Sequence, residues 1–478
     1  MSLPFGVTVT TAETSQSAGT STSTGTAFIV GIADQGVTTP VLVRSMSQYI
    51  AQYGPRTVTS SILYDEVETF FQIGEAQCYV LRVSNESAKP AKKALLDAGN
   101  KPTVVVTFKT AGTAGNNYKI ETVTSGTETE AIILNSENEV LENSGRLTQA
   151  NLLLFKSAYV EYTQSAEAEF TKNIPKTLAA TALTGGENPT GLADANFDSA
   201  LPLFVKTFGP GQVMMPERTS TTAHNAMLTH CKENNRFALC DIADSSVVAT
   251  LIANKGSQTA GLAGYGMYTG SSVTIQGLTL GTTRTVKGSA VVAGLLAQVS
   301  KTGNDNQAPA GREWPLPPFV LGFTNTFSLE NMKTLNEAGI NSWAERGGTL
   351  CLYGFSTALP STTDVIFWQA SASRERMSLV AAAEIIGERF QFKTIDGRKQ
   401  LLSKFQGELQ GLGARHYAAN ALFGENAAEA CLVNVSEPVN TLATMQAGEL
   451  NAEMIVRISP FAQAVNILIV STPITSAV

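Results

Sequence analysis

Two pairs of neighbouring carboxylates are the best candidates for acid–base chemistry in this sequence, because positioned carboxyl groups can give and take protons. Asp241 and Asp244 close the apolar run FALCDIAD, and Asp65 and Glu66 lie together in SSILYDEVETFF. Asp241 would stand at the carboxyl end of a central strand, where open α/β sheets bind ligands. An Asp in this position also commonly caps the helix that follows. The context favours capping, and Asp241 is the acid to test if the chain is an enzyme.

The glycine-rich segments lack the context of nucleotide-binding loops. GPGQV (209–213) precedes a strand and has no GxxxxGK[ST] lysine that would reach a phosphate. GLAGYG (261–266) leads into a strand rather than a helix, so the dinucleotide fingerprint fails. No GxSxG hydrolase elbow occurs in the sequence. We therefore expect no catalytic residues and no cofactor.

Metal-binding patterns are also missing. His224 and His230 lie six residues apart on a predicted helix and would point in different directions, so we expect ordinary surface or boundary residues. The cysteines are widely spread in apolar surroundings, which is typical of reduced thiols in a core. They are Cys78, Cys231, Cys240, Cys351 and Cys431. The sequence predicts no metal site.

The composition is that of a globular chain, with 43% apolar residues and a formal net charge of −7 over 478 residues. This length predicts about three domains. Acidic and basic residues are interspersed, so we expect neither direct nucleic-acid binding nor membrane insertion. No leader or membrane span is recognisable. We expect the chain to be made and kept in a reducing cytosol.

Apolar periodicity predicts an α/β framework interrupted by a β-rich segment. Residues 27–34, 60–71 and 77–83 follow the order strand, helix, strand, which predicts a parallel pair with a crossover helix. Between 96 and 196, glycine, asparagine and serine clusters separate short β-type runs. These runs are 104–108, 117–122, 130–134 and 152–155. Alternation then resumes, which predicts one doubly wound sheet assembled from both sides of the insertion. The strands expected there are 212–215, 237–242 and 265–269, and the helices 219–233, 245–253 and 289–299.

The two ends of the chain differ from this framework. Long helices are predicted at 372–392 and 398–412, followed by strands at 430–435, 454–458 and 465–470. The second helix carries one apolar stripe, which consists of Leu401, Leu402, Phe405, Leu409 and Leu412. At the other end, FGVTVT (5–10) alternates like a strand and precedes a Ser/Thr/Gly tract (11–26) of linker composition. This strand either pairs elsewhere in this chain or with another chain, or it is a frayed terminus.

Seven segments, in the same order along the chain, resemble the tail sheath proteins of contractile phages and related injection systems. The first six are TAFIVGIADQGVTTPVLVRSMSQYIAQYG (26–54), FFQIGEAQCYVLRV (70–83), AGTAGNNYKI (111–120), LTGGENP (183–189), SAVVAGLLAQVSKTGNDNQAPAG (289–311) and LNEAGINSW (335–343). The seventh is the final region, with FKTIDGRKQLLSKFQGELQGLGA and GELNAEMIVRISPFAQAVNILIV. The chain departs from the family pattern at Ala114, at Asn188 and Pro189, and at residues 462–464.

The resemblance implies a multi-domain chain, α/β plus α+β, with a doubly wound α/β core and extended terminal arms. The N-terminal arm and linker would be residues 1–25 and the C-terminal arm 464–478. The α/β domain would be discontinuous (26–95 and 197–360), with an inserted β-rich outer domain at 96–196. An α+β C-terminal, inner domain would follow at 361–463.

The resemblance further implies a structural subunit, not an enzyme. It would polymerise helically around a tail tube and contract to drive the tube through a target cell envelope, delivering a phage genome. The expected partners are other copies of the chain, the tail tube protein, and baseplate and tail terminator proteins, in a virion tail assembled in the bacterial cytoplasm. The arms would pair through Phe5, Val7, Val9, Val465, Ile467 and Ile469, and Lys399 and Lys404 would face the tube. The alternatives are an α/β enzyme with a β insertion and a different virion or injection-apparatus assembly protein.

Overall fold

The computed structural model describes residues 23–168, 173–361, 366–463 and 465–467. These residues form 20 β-strands and 12 α-helices. The strands are β1 Ala27–Gly31, β2 Val41–Val43, β3 Cys78–Arg82, β4 Lys92–Leu96, β5 Pro102–Phe108, β6 Lys119–Ser125, β7 Glu128–Leu134, β8 Val140–Thr148, β9 Val160–Gln164, β10 Leu178–Ala182, β11 Gln212–Met214, β12 Phe237–Asp241, β13 Gly266–Thr269, β14 Val273–Gln276, β15 Thr283–Val286, β16 Val320–Phe323, β17 Ile340–Arg346, β18 Thr349–Tyr353, β19 Cys431–Asn434 and β20 Glu453–Val456. The helices are α1 Met46–Tyr53, α2 Ser61–Gly74, α3 Gln149–Leu154, α4 Asp194–Asp198, α5 Thr221–Glu233, α6 Val248–Lys255, α7 Gly288–Lys301, α8 Leu329–Glu337, α9 Ala370–Phe390, α10 Gln400–Ala418, α11 Ala427–Ala430 and α12 Leu442–Gln446.

An eight-stranded mixed sheet is the centre of the fold, in the order β18-β17-β13-β12-β11-β1-β3-β2. Strand β1 is parallel to β3 on one side and to β11 on the other. The predicted parallel pair joined by a helix is therefore confirmed, with α2 in the connection between β1 and β3. Strands β11, β12 and β13 come from beyond the β-rich segment and join the same sheet, as the alternation after residue 212 predicted.

Helices cover both faces of this sheet, which is why its central strands are continuous apolar runs. Ala27 and Ile29 of β1 belong to the apolar cluster that contains residues of α2 and α7. Phe28 and Val30 face the opposite side and belong to the cluster that contains residues of α5. All four side chains are fully buried.

The β-rich segment lies between β3 and β11 and has its own apolar cluster. It contains a three-stranded sheet, β4-β5-β9, and a four-stranded sheet, β10-β6-β7-β8. One prediction within it is wrong, because the run at 152–155 is part of helix α3 rather than a strand. The Thr148 hydroxyl accepts a hydrogen bond from the Asn151 N–H, which is an N-cap that the apolar letters conceal.

Helix α9 connects the large sheet to the C-terminal region. Ala370 and Met377, in its first half, pack in the cluster of the large sheet. Leu379 near its middle, and Ile386 and Phe390 in its second half, pack with α10 and β19 in a separate cluster. The predicted apolar stripe of α10 is confirmed, because all five of its members are buried in that second cluster.

Candidate polymerisation site

The acid that the sequence favoured has a structural role. Asp241 lies at the carboxyl end of β12, as expected, and is buried. Its carboxylate accepts hydrogen bonds from the Ser289 N–H (2.9 Å) and hydroxyl (2.5 Å) and from the Thr269 hydroxyl (2.9 Å). Burial raises the pKa of Asp241, and these hydrogen bonds oppose the rise. The expectation that it caps the following helix is wrong: it caps α7, whereas α6 begins without a side-chain cap.

The second pair of acids also packs against other elements. Asp65 forms ion pairs with Arg56 (2.8 Å) and Arg284 (2.5 Å). Glu66 is buried and accepts a hydrogen bond from the Lys287 N–H (2.6 Å), directly before α7. Burial raises the pKa of Glu66 well above its usual range, and the nearby Asp241 adds to the rise. Asp244 accepts hydrogen bonds from the Ser272 N–H (2.9 Å) and the Thr324 hydroxyl (3.2 Å). All four acids thus bond to other elements of the chain, and Glu66 and Asp241 tie α2 and β12 to the start of α7.

The histidine prediction is wrong, because both side chains are buried rather than at the surface. His224 packs edge-on against the Tyr268 ring, with 5.1 Å between the ring centroids. His230 places Nε2 2.9 Å from a guanidinium nitrogen of Arg236. Burial lowers the pKa of each imidazole to about 4, so both are neutral at pH 7. Position in a helix does not reveal that these helix faces meet a sheet.

Two further observations concern only the part of the chain that the structure describes. No group of three or more His, Cys, Asp or Glu side chains there is arranged to hold a metal ion, and no helix there is long and apolar enough to cross a membrane. The prediction that the cysteines are core thiols is confirmed, because all five are free and buried.

The C-terminal sheet, formed by β19 and β20, presents an apolar face to solvent. Its strands are antiparallel, with Leu432 directly opposite Ile455. Leu432 is 56% exposed and Ile455 is 50% exposed, and the nearby Phe423 is 62% exposed. The opposite face packs on α10 through Cys431 and Val433. A sheet of two strands is only marginally stable alone, so this one depends on α10 and has room for further strands.

One edge of the C-terminal sheet is open. The Arg457 N–H bonds the Ala430 carbonyl, and in an antiparallel ladder this directs the backbone groups of Met454 and Val456 away from β19. Those groups have no hydrogen-bond partner among the described residues. An exposed strand edge of this kind is a template for pairing with another chain.

The edge of β19, by contrast, is partly occupied. The Cys431 N–H donates to the Ala427 carbonyl within the turn that precedes the strand. The Val433 carbonyl accepts a hydrogen bond from Gln406 Nε2 of α10 (2.8 Å). The free edge of the C-terminal sheet is therefore the β20 edge.

The structure places the predicted arm residues apart from this sheet or does not describe them. Phe5, Val7, Val9 and Ile469 lie outside the described residues. Val465 and Ile467 belong to no strand and are 76% and 80% exposed. Before reaching them, the chain leaves β20 and crosses to α8, where Gln463 Nε2 donates to Asn336 Oδ1 (2.6 Å).

The predicted tube-facing lysines, Lys399 and Lys404, are both exposed. Lys404 projects from α10 away from its buried stripe, and Lys399 immediately precedes the helix with a left-handed φ of 61°. Asp396 accepts hydrogen bonds from the Gln400 and Leu401 N–H groups and so caps the same end of α10.

Sequence reasoning missed the exposed apolar face and the open edge. The alternation in CLVN and EMIV was the available signal for two strands with one outward side. The identity of the open edge depends on Gln406, which reaches β19 from a helix 27 residues away in sequence. No local pattern reports such a contact.

Solved structures show what this architecture resembles. No protein-family model matches the sequence, and no curated protein matches it significantly. The structure matches the sheath tail protein of Listeria innocua with a TM-score of 0.62 at 13% identity, over 91% of this chain and 95% of that one. The chain has the tail-sheath fold. The sheath tail protein of Desulfitobacterium hafniense matches with a TM-score of 0.58 at 11% identity, over 90% and 93% of the two chains.

The tail-sheath fold extends over nearly the whole chain. A sheath subunit of the extracellular contractile injection system PVC, in its contracted state, matches with a TM-score of 0.57 at 12% identity over 98% of both chains. This match includes the β-rich segment and the C-terminal sheet as well as the large sheet. The resemblance drawn from the seven sequence segments is thus confirmed at the level of the fold.

Proposed function

We propose that this chain is a structural subunit of a contractile tail sheath and polymerises helically around a tail tube. The observation that carries the proposal is the open β20 edge of a chain with the tail-sheath fold. Proteins of this fold include a sheath captured in a contracted state. The acids that could have supported an enzyme are engaged in packing contacts, so no observation favours catalysis.

Neighbouring subunits join by adding strands to the C-terminal sheet. An incoming strand would bond the free backbone groups of Met454 and Val456, which is β-augmentation. The N-terminal arm (1–25) and the C-terminal arm (464–478) supply such strands, because Phe5, Val7 and Val9 alternate with polar residues in one of them. Val465, Ile467 and Ile469 alternate in the other.

Both arms add on the β20 side. On the β19 edge the Cys431 N–H and the Val433 carbonyl are already bonded, whereas the outward groups of Met454 and Val456 are free of partners among the described residues, so one arm pairs with β20 and the second arm pairs with the first. The resulting four-stranded sheet would combine three chains. It also extends the apolar face of Leu432 and Ile455, which a two-stranded sheet exposes to water.

Contraction follows from this connectivity without a nucleotide. Backbone hydrogen bonds hold the arms in place, while the Ser/Thr/Gly tract lets the subunits rotate and slide. The extended array is metastable and shortens to one with more buried contact, driving the tube through a target envelope. In this scheme the doubly wound core carries the β-rich domain on its outer side, and the C-terminal domain faces the tube through Lys399 and Lys404. Baseplate and terminator proteins lie at the two ends of the array, which assembles in the bacterial cytoplasm as part of a virion tail.

Electron microscopy of the purified chain tests the proposal. We expect hollow helical tubes from the full-length chain, and a folded monomer after deletion of residues 1–20. A matched pair of variants tests whether the apolar side of this strand is needed for assembly. Val7→Asp with Val9→Asp disrupts the apolar side, whereas Thr8→Asp with Thr10→Asp adds the same charge to the other side. Long ordered tubes from the deletion variant would rule out the N-terminal arm as a necessary link between subunits. A full-length chain that remains monomeric under all assembly conditions would rule out the proposed sheath function.

A further inference from the structure

One short loop after α7 contacts both the start of the described chain and the C-terminal sheet. The hydroxyl of Thr24 donates to Asp305 Oδ1. The next residue of the loop, Asn306, uses Nδ2 to donate to the carbonyls of Ala421 (3.0 Å) and Ser459 (2.6 Å). Ala421 follows α10 and Ser459 follows β20. Thr24, which we call the root of the N-terminal arm, is therefore connected through two adjacent loop residues to the segments that flank the C-terminal sheet.

A buried arginine completes this connection. Arg374 of α9 is fully buried and directs Nη2 at Asp305 Oδ1 (3.2 Å) and at the Thr24 hydroxyl oxygen (3.3 Å). Its Nη1 donates to Gln212 Oε1 (3.3 Å) of β11, and Gln212 in turn donates to the Gly25 carbonyl (3.2 Å). A buried guanidinium needs a carboxylate partner, and among the described residues Asp305 is the one within ion-pair distance of Arg374.

We infer that Thr24, Asp305, Asn306 and Arg374 are positioning residues for assembly. They form a clamp, here called the arm clamp, that fixes where the N-terminal arm leaves the subunit relative to the C-terminal sheet. The inference rests on the proposed function, since it concerns the direction of an arm that joins subunits.

The reach of the arm shows why its root matters. A linker of the roughly 13 residues between the proposed strand at 5–10 and Thr24, with the Ser/Thr/Gly composition of that tract, would have a root-mean-square length of roughly 20 Å. The position of the root therefore decides which neighbour the strand at 5–10 encounters. A root that moved by several ångströms would spread the arm over more than one acceptor.

The arm clamp also couples the two ends of the subunit. Asp305 and Asn306 are adjacent in the loop, so a displacement of Thr24 moves the side chain that holds the carbonyls of Ala421 and Ser459. Contiguous hydrogen-bonded networks transmit displacements of this kind. A pull on the arm of one subunit thus reaches the sheet on which that subunit receives the arms of others.

Hydrogen exchange of the full-length monomer, followed by mass spectrometry, tests the clamp. Thr24→Val removes one hydroxyl, and we expect amides of 421–423 and 459 to exchange on the order of tenfold faster, as loss of one hydrogen bond to a charged group implies. Thr26→Val is the matched control, because the Thr26 hydroxyl is buried without a hydrogen-bond partner among the described residues. In this variant the amides of 421–423 and 459 should exchange at the wild-type rate. Thr24→Ser keeps the hydroxyl and should restore slow exchange.

The outcomes separate the clamp from the sheath proposal. Unchanged exchange at 421–423 and 459 in Thr24→Val would overturn the clamp, whether or not the chain forms tubes. If Thr24→Val fails to fold, Asn306→Ala tests the reverse direction, with faster exchange expected at the Ala27 amide. In assembled tubes we expect Thr24→Val to widen the distribution of subunit spacings measured by cryo-electron microscopy. A spacing as uniform as that of the wild type would count against the clamp. A wild-type chain that forms no tubes refutes the proposed function, and the exchange experiment still decides the clamp.

Discussion

Proline at position 456 tests the open edge of the C-terminal sheet directly. The Val456 N–H points away from β19, so its loss leaves the pairing of Leu432 with Ile455 intact. Proline is tolerated on edge strands for this reason. We expect Val456→Pro to give a folded monomer that associates poorly.

The size of the effect follows from the bonds available at this edge. Proline removes one donor, worth about 0.5–1.5 kcal/mol net, and its ring also obstructs the carbonyl of an incoming strand. A loss of about 2 kcal/mol for each arm contact corresponds to roughly 30-fold weaker association. The protein concentration needed for tube formation should rise by about that factor.

Sedimentation and negative-stain microscopy over a concentration series measure this threshold. Val456→Ala is the control, because it removes the apolar side chain and keeps the N–H; its threshold should stay within about threefold of wild type, as expected for a half-buried side chain. Thermal unfolding establishes that both variants are folded. A folded Val456→Pro that forms tubes at the wild-type concentration would refute the assignment of the β20 edge as the acceptor.

Three further predictions concern other parts of the chain. Glu66→Gln keeps an acceptor for the Lys287 N–H but cannot ionise. Burial raises the pKa of Glu66, so above the unfolded pKa of about 4.3 the folded wild type holds a proton that the unfolded chain has lost. The free energy of unfolding of the wild type therefore falls as pH rises above that value. The variant should therefore gain stability over wild type between pH 4.5 and pH 8 in denaturant titrations, and a constant difference would contradict this account. Leu409→Ala should cost about 2–5 kcal/mol of unfolding free energy, because Leu409 is buried between α10 and its neighbours, whereas the exposed neighbour Gln410→Ala should change it by less than about 0.5 kcal/mol. Lys404→Glu should leave empty tubes unchanged but abolish docking on the tube protein in co-assembly experiments; Lys232→Glu, an exposed lysine on α5, is the control, and equal docking by both variants would remove Lys404 from the tube contact.

The regular elements of the large sheet were predictable because burial on both faces gives them strong local signals. AFIVG and FALCD read as buried strands, and the stripe beginning at Leu401 predicts the buried side of α10, because these patterns depend only on nearby residues. Strand β8 was not found, since most of its side chains are exposed at a sheet edge and its letters, VLENSGRLT, carry little alternation.

The contacts of the polar residues were less predictable, because they join elements far apart in sequence. Asp241 caps a helix that begins 47 residues later rather than the next helix. His224 was expected to be a surface or boundary residue of its helix, yet it is buried against the Tyr268 ring. The difference between the open β20 edge and the partly occupied β19 edge has the same origin, since it depends on the hydrogen bond that Gln406 donates to Val433 of β19.

Helix α9 behaves mechanically as a rod shared by two cores. Its 21 residues give a length of about 31 Å, with one end fixed in the cluster of the large sheet and the other in the cluster of α10. A rigid rod converts rotation at one end into translation at the other: a tilt of about 10° displaces the far end by about 5 Å, a distance close to the 4.7–4.9 Å between paired strands. A small rotation of the large sheet would thus move the C-terminal sheet by the width of one strand, enough to load or release whatever is bound along its edge.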